Sequence, residues 1–181
     1  MSTLQRTLLG GGEPRVEGRA FDRIELDDAS WIDVARSWLL GADTLLDFLI
    51  ERVDWKQGRR RMYDRMLDDP RLSRWYSRDD RLPHPALEAI GTQLDAQLGV
   101  RLSGPACNYY RDGADSVAWH ADRELRELTN TRIAILTLGA RRPSPAGRPI
   151  RARDCATCRH LSDGSGTAGA RPTSGSRYAC S

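Results

Sequence analysis

His120 and Asp122 are separated by one residue, Ala121. Side chains alternate along an extended strand, so this spacing places both on one side. A neutral imidazole and a carboxylate side by side can bind one metal ion. They are two of the three ligands in a 2-His-1-carboxylate facial arrangement, which holds Fe(II) and leaves open positions for a cosubstrate and oxygen. The remaining ligand would be a distant histidine. His-x-Asp pairs also arise by chance. A histidine beside a tryptophan, as His120 is beside Trp119, more often has a structural role. The surrounding elements must decide.

Residues 106–111, 116–120 and 132–138 are short, rich in β-branched or aromatic types, and separated by Gly/Asp or Asn/Thr turns. They predict strands on both sides of the pair. In the last of them Ile133, Ile135 and Thr137 share one face, with Ala134, Leu136 and Leu138 on the other. That near-continuous apolar run predicts a strand covered on both sides. Upstream, helical spacing predicts a helix over 43–53 with Asp43 as its N-cap, and another over 84–98 ended by Gly99. Residues 31–40 are expected to be a helix or its lead-in, with Gly41 as a stop. Residues 20–26 can form an edge strand. Helices first and strands later predict an α+β domain built around a β-barrel or jelly-roll core.

The ordered run Asn108-Tyr109-Tyr110-Arg111-Asp112-Gly113, Asp115 through Glu124, and Ile133-Ala134-Ile135-Leu136-Thr137-Leu138-Gly139-Ala140 resembles the AlkB family of Fe(II)- and 2-oxoglutarate-dependent dioxygenases. The resemblance covers roughly residues 40–143. It implies helices packed on a double-stranded β-helix (jelly roll). It implies His120 and Asp122 as iron ligands, and Asn108 and Tyr110 as contacts to 2-oxoglutarate. The amide NH₂ of asparagine and the phenolic O–H of tyrosine both suit an anion. By alternation, one of Tyr109 and Tyr110 belongs to the core. The implied reaction is oxidative decarboxylation of 2-oxoglutarate to succinate. It is coupled to hydroxylation of an N-methyl group on a damaged base, which then loses formaldehyde. The base would be flipped from its stack to be reached.

Residues 55–78 interleave Lys56 and seven arginines, Arg61 and Arg71 among them, with Trp55, Tyr63, Trp75 and Tyr76. Cations can neutralise phosphates and aromatic faces can stack on bases. By resemblance this is a substrate-recognition lid, in which Arg61 and Tyr63, together with Trp119 and Glu124, contact DNA (single- or double-stranded) or RNA. The bland alternative is a loop-helix whose arginines pair with Asp54, Asp64, Asp68 and Asp69.

Composition narrows the remaining choices. The net charge of +3 comes from the end of the chain. Residues 144–181 hold six Arg and two Asp (+4), which leaves 22 basic and 23 acidic residues (−1) in 1–143. Nucleic-acid binding must therefore rest on local patches. No run of 18 apolar residues occurs, and the first 14 residues lack the apolar core of a signal peptide. A cytoplasmic monomer with no membrane association is the expectation. Two parts are expected: a partial dioxygenase domain over 1–143, and a low-complexity tail over 144–181 whose larger apolar residues, cysteines aside, are Ile150, Leu161 and Tyr178. Such a tail is expected to be disordered.

In this tail the sequence departs from the family. The second iron-binding histidine before a proline and the 2-oxoglutarate-binding arginine have no recognisable counterpart after Pro143. His160 is the only later histidine, and its neighbours are not strand-like. Cys155, Cys158 and His160 have zinc-like spacing but lack a framed fourth ligand. The abrupt change at Pro143 fits a shift of reading frame. If so, another frame of the coding DNA beyond that codon encodes apolar strands with a downstream His and Arg. The alternative function is a catalytically impaired homologue with residual binding; a protein with no iron site is the third reading.

Overall fold

The computed structural model describes residues 11–26, 31–62, 64–117, 131–140 and 176–180. The first helix, α1 (Ala42–Arg52), presents Leu45 and Leu49 to the interior, with Val53 just beyond its end. Gly41 occupies the N-cap, with φ at 64°, and no side chain caps the helix. Asp43 is therefore not the cap that the sequence suggested. It lies in the first turn, buried, where a carboxylate still favours the positive end of the helix dipole.

The stretch before α1 corrects the helix expected over 31–40. Here β3 (Trp31–Val34) pairs antiparallel with β2 (Asp22–Glu25), and β4 (Leu39–Leu40) pairs with β1 (Arg15–Val16). Ten residues are marginal for a helix, and the β-branched Ile32 and Val34 favour a pleated surface. Ser37, with φ at 53°, interrupts any helical path. The expected edge strand over 20–26 is present as β2.

The β2–β3 hairpin is fastened through Asp33. Arg23 donates to both Asp33 oxygens at 2.7 Å, and Trp31 Nε1 donates to Oδ2 at 3.1 Å. The guanidinia of Arg23 and Arg132 lie 4.7 and 5.4 Å from the Trp31 ring centroid, so the cluster also ties the hairpin to the start of the 132–138 segment. The hydrogen bonds from Arg23 are the largest influence on the Asp33 carboxyl. They hold it below its ordinary value, with the Arg23 charge, Trp31 and Arg132 adding to the effect and burial opposing it. A depressed folded-state value means that this stabilisation is fully present above the unfolded Asp value, about 3.9. It is lost as pH falls through the lower folded value. Acid titration followed by tryptophan fluorescence is therefore expected to show a transition below about pH 4 that Asp33→Asn removes. An identical acid limb in the variant would overturn this assignment.

The second helix, α2 (Pro85–Leu98), matches the sequence expectation. His84 Nδ1 accepts from Ala86 N at 3.1 Å, proline stands in the first turn, and Gly99 ends the helix with φ at 65°. Leu87, Ile90 and Leu94 are buried together with Leu45, Leu49, Leu102, Cys107 and Ala134, so helices and sheet share one core. Asp95 fixes the junction to the sheet: its carboxylate accepts from Leu102 N and from Arg78 Nη2, both at 2.8 Å.

The main sheet runs β5-β6-β7-β9-β8, with β5 (Lys56–Met62), β6 (Arg65–Trp75), β7 (Leu102–Tyr109), β8 (Ala134–Leu136) and β9 (Ser176–Cys180). The β5–β6 and β6–β7 pairs are antiparallel, and β9 is parallel to both neighbours. Residues 55–78 thus form a long hairpin rather than a loop-helix. β7 begins at Leu102, four residues before the strand expected from the sequence. Gly104, with φ at 141°, lets the strand press against the backbone of Tyr76 and Ser77, and the Pro105 carbonyl accepts from Tyr76 N at 3.0 Å.

Two further expectations change. β8 is covered on one side only among the described residues: Ala134 is buried, whereas Ile135 is 67% exposed. Within the tail, residues 176–180 form β9 in the sheet; residues 144–175 lie outside the described residues. The expected strand over 116–120 is not seen at Ser116 and Val117, and its remaining residues lie outside the description. The architecture is α+β. Closure of the sheet into a jelly roll is not present among the described residues.

Candidate functional site

The face that bears Asn108 is set by the register of β6 against β7. Ser73 pairs with Asn108, and Leu72 with Tyr109. Directly opposed residues in an antiparallel pair project to the same side. Asn108 and Ser73 therefore share a face with Arg71 and Tyr110, one step further along each strand. Cys107 and Tyr109 take the opposite face. There the Tyr109 ring lies 5.4 Å from Trp55, tilted by 38°, and Trp55 packs on the core. The sequence left open which of Tyr109 and Tyr110 turns inward; the register gives that place to Tyr109.

On the Asn108 face, Arg71 Nε donates to Asn108 Oδ1 at 2.9 Å. This bond fixes the amide orientation: Oδ1 turns to Arg71 and the NH₂ turns away as a donor. Arg71, Asn108 and Tyr110 are all half-buried. The patch thus brings together a guanidinium and an amide NH₂, donors suited to a carboxylate.

After Tyr110 the chain turns tightly. Arg111 forks onto Asp115, with its Nε and Nη2 each 2.8 Å from a carboxylate oxygen, and its backbone N–H also donates to Oδ2 at 2.8 Å. Asp115 is buried, and its hydrogen bonds hold Arg111 further above its ordinary pKa. Asp112 accepts from Ala114 N, and Ser116 N donates to the Pro70 carbonyl at 2.7 Å, which pins the turn to β6. This fixed turn leads toward Trp119, His120, Asp122 and Glu124, which lie outside the described residues, as do Tyr63, Cys155, Cys158 and His160. Among the described residues no group of three or more His, Cys, Asp or Glu is arranged to hold a metal.

In the hairpin the acid-paired arrangement is realised in part. Arg59 meets Asp68 at 2.9 Å, Arg60 meets Asp69 at 3.1 Å, and Lys56 meets Asp54 at 2.8 Å. These pairs are largely exposed, so each contributes little to stability. The Lys56 hydrogen bond is the largest influence lowering the Asp54 carboxyl. Arg61 lies opposite Met66, on the side of Arg59 and away from Arg60. Arg74 lies over the Tyr76 ring at 5.3 Å, and burial raises the Tyr76 phenol above its ordinary value. No helix among the described residues is long and apolar enough to cross a membrane.

The residue that sequence reasoning undervalued is Arg71. It was one of many arginines in the stretch, and its contact with Asn108 depends on a cross-strand register that no local pattern encodes. Arg111 and Asp115, four residues apart, were more accessible as a pair.

No family model matches the chain. It is similar to curated relatives described as alpha-ketoglutarate-dependent dioxygenase alkB homolog 3. The rat protein is 34% identical over 112 aligned positions, covering 56% of this chain and 38% of the relative. The human protein is also 34% identical, with 56% and 39% covered. The mouse protein is 33% identical with the same coverage as the human one. The chain spans about two fifths of the length of these relatives.

Proposed function

We propose, for a chain that belongs to the AlkB family over its matched region, a Fe(II)- and 2-oxoglutarate-dependent dioxygenase that demethylates alkylated bases in nucleic acid. The observation that carries this reading is the match at 34% identity to relatives that depend on alpha-ketoglutarate. The donor patch of Asn108 and Arg71 supports it, because its chemistry suits the carboxylates of that cosubstrate. The proposed unit is residues 1–143, a partial jelly-roll domain, followed by the low-complexity segment 144–181, part of which joins the sheet as β9.

In this reading Fe(II) and 2-oxoglutarate supply the oxidising chemistry when bound. His120 and Asp122 hold the metal, His120 through a neutral ring nitrogen and Asp122 as the carboxylate. Asn108 donates its NH₂ and Tyr110 its O–H to the cosubstrate, fixing its orientation. The fork between Arg111 and Asp115 holds the turn that leads to the metal ligands. The exposed cations of the β5–β6 hairpin, with Tyr63, Trp119 and Glu124, meet the nucleic acid. Base stacking on the aromatic rings stabilises a base drawn out of its stack.

The test is direct. Purified chain is incubated with Fe(II), ascorbate, 2-oxoglutarate and an N-methylated single-stranded oligonucleotide. Succinate and formaldehyde are expected in equal amounts, both dependent on iron. Failure to release succinate under conditions where the chain is folded would sink the proposal.

A further inference from the structure

We infer that Cys107 and Cys180 form a reversible disulfide that fastens β9 into the main sheet. It does not depend on the function proposed above. Cys107 of β7 and Cys180 of β9 are in-register partners on neighbouring parallel strands. Strands in a sheet lie about 4.7–4.9 Å apart, inside the roughly 4.4–6.8 Å between Cα atoms that a disulfide spans. In-register positions share a face of the sheet. For Cys107 that face is the core: it is 2% exposed and belongs to the cluster with Leu87, Ile90 and Leu102. Cys107 carries a thiol.

On the other side of Cys107 stands a cation. Arg74 of β6 is its antiparallel partner, so position 107 lies between an arginine and a cysteine across the sheet. The Arg74 guanidinium lies over the Tyr76 ring at 5.3 Å, and the Tyr76 phenol is influenced by both Arg74 and Cys107. Arg74 Nε is a buried donor with no acceptor among the described residues. Thiol–disulfide exchange starts from a thiolate, a form that a neighbouring guanidinium favours and burial opposes.

In the reaction the two thiols give up two protons and two electrons to a small disulfide such as oxidised glutathione. Its S–S bond breaks, both halves leave as thiols with those protons, and one bond forms between the sulfurs of Cys107 and Cys180. Place in the sheet makes this bond a latch. Among the described strands β9 stands between β7 and β8, so β8 joins the sheet through it. Positions 107 and 180 are far apart in sequence, and closing a long loop removes more freedom from the unfolded chain than closing a short one.

The full chain is equilibrated without oxygen in glutathione buffers of varied redox ratio, trapped with N-ethylmaleimide in denaturant, and mapped by peptide mass spectrometry. A peptide pair joined through Cys107 and Cys180, two hydrogens lighter than the reduced peptides, is expected to grow as the buffer becomes more oxidising and to vanish with dithiothreitol. The same pair is expected in the Cys155→Ser/Cys158→Ser double variant. The urea midpoint is expected to be higher for the oxidised chain than for the reduced one. Cys180→Ser is expected to leave Cys107 alkylated throughout and to remove that difference. Arg74→Gln is expected to cross-link several-fold more slowly; a wild-type rate overturns the role of Arg74. In concentrated urea the 107–180 pair is expected to lose its preference over pairings with Cys155 and Cys158, and an equal preference there overturns its origin in the fold. Cys107 that stays a thiol at every ratio, or that joins Cys155 or Cys158 instead, overturns the disulfide. Equal urea midpoints for the oxidised and reduced chains overturn the latch.

Discussion

Leu87→Ala is expected to destabilise the chain by about 2–5 kcal/mol, the range for deleting a fully buried leucine side chain. Leu87 is 0% exposed on α2, and the core it enters also contains Leu45 of α1, Leu102 of β7 and Ala134 of β8. Truncation removes apolar contact and leaves a cavity at the place where both helices meet the sheet. Natural domains have only about 5–15 kcal/mol to lose, so the effect is a large share of the total. Urea unfolding of the variant beside the wild type measures it. Glu88→Gln, one residue on and exposed in the first turn of α2, is the matched control; it loses only a helix-dipole contribution and is expected to shift stability by less than about 1 kcal/mol. A Leu87→Ala midpoint equal to that of the control would mean that this core does not hold the fold together.

The legible parts of the molecule share a physical property. α2 could be read because Leu87, Ile90 and Leu94 repeat at helical spacing between Pro85 and Gly99. α1 could be read from Leu45 and Leu49 in the same way. Both signals are local. The segment over 31–40 was misjudged because its structure depends on partners elsewhere in the chain: β3 needs β2 and β4 needs β1. β8 was judged from its apolar run alone. Ile135 remains exposed because coverage depends on what packs over a strand, which that strand's own residues do not encode.

The same distinction applies to the site. His120 and Asp122 were singled out by their spacing along the chain, and Asn108 and Tyr110 by the family resemblance. Asn108 and Tyr110 do lie on one face, and the inward turn of Tyr109 follows from the same strand alternation. Arg71 stands 37 residues from Asn108, and only the register of two strands brings them together. A basic stretch in sequence therefore mixes unlike cations. Arg59 and Arg60 answer carboxylates on the hairpin, Arg74 lies over Tyr76, and Arg71 faces the donor patch.

His120→Ala and Asp122→Ala are each expected to abolish iron-dependent succinate release and to weaken metal binding by more than the roughly 10–100-fold typical of losing an outer-shell partner. One residue between the two places both on one side of an extended segment, where a single ion can reach them. A carboxylate contributes negative charge as well as an oxygen ligand. Asp122→Asn, which keeps the shape but removes the charge, is therefore expected to lose most of the affinity. Metal binding is read by titrating the apo chain with Co(II) and following its visible absorption, alongside succinate release under saturating 2-oxoglutarate. The two substitutions are expected to fail together, because in the proposed site each removes a ligand of the same ion. Trp119→Phe, next to His120 but offering no ligand, is the neighbouring control; it is expected to retain Co(II) binding even where it weakens the oligonucleotide. Full turnover in His120→Ala or Asp122→Ala would remove the pair from the site and leave the family resemblance without its metal chemistry.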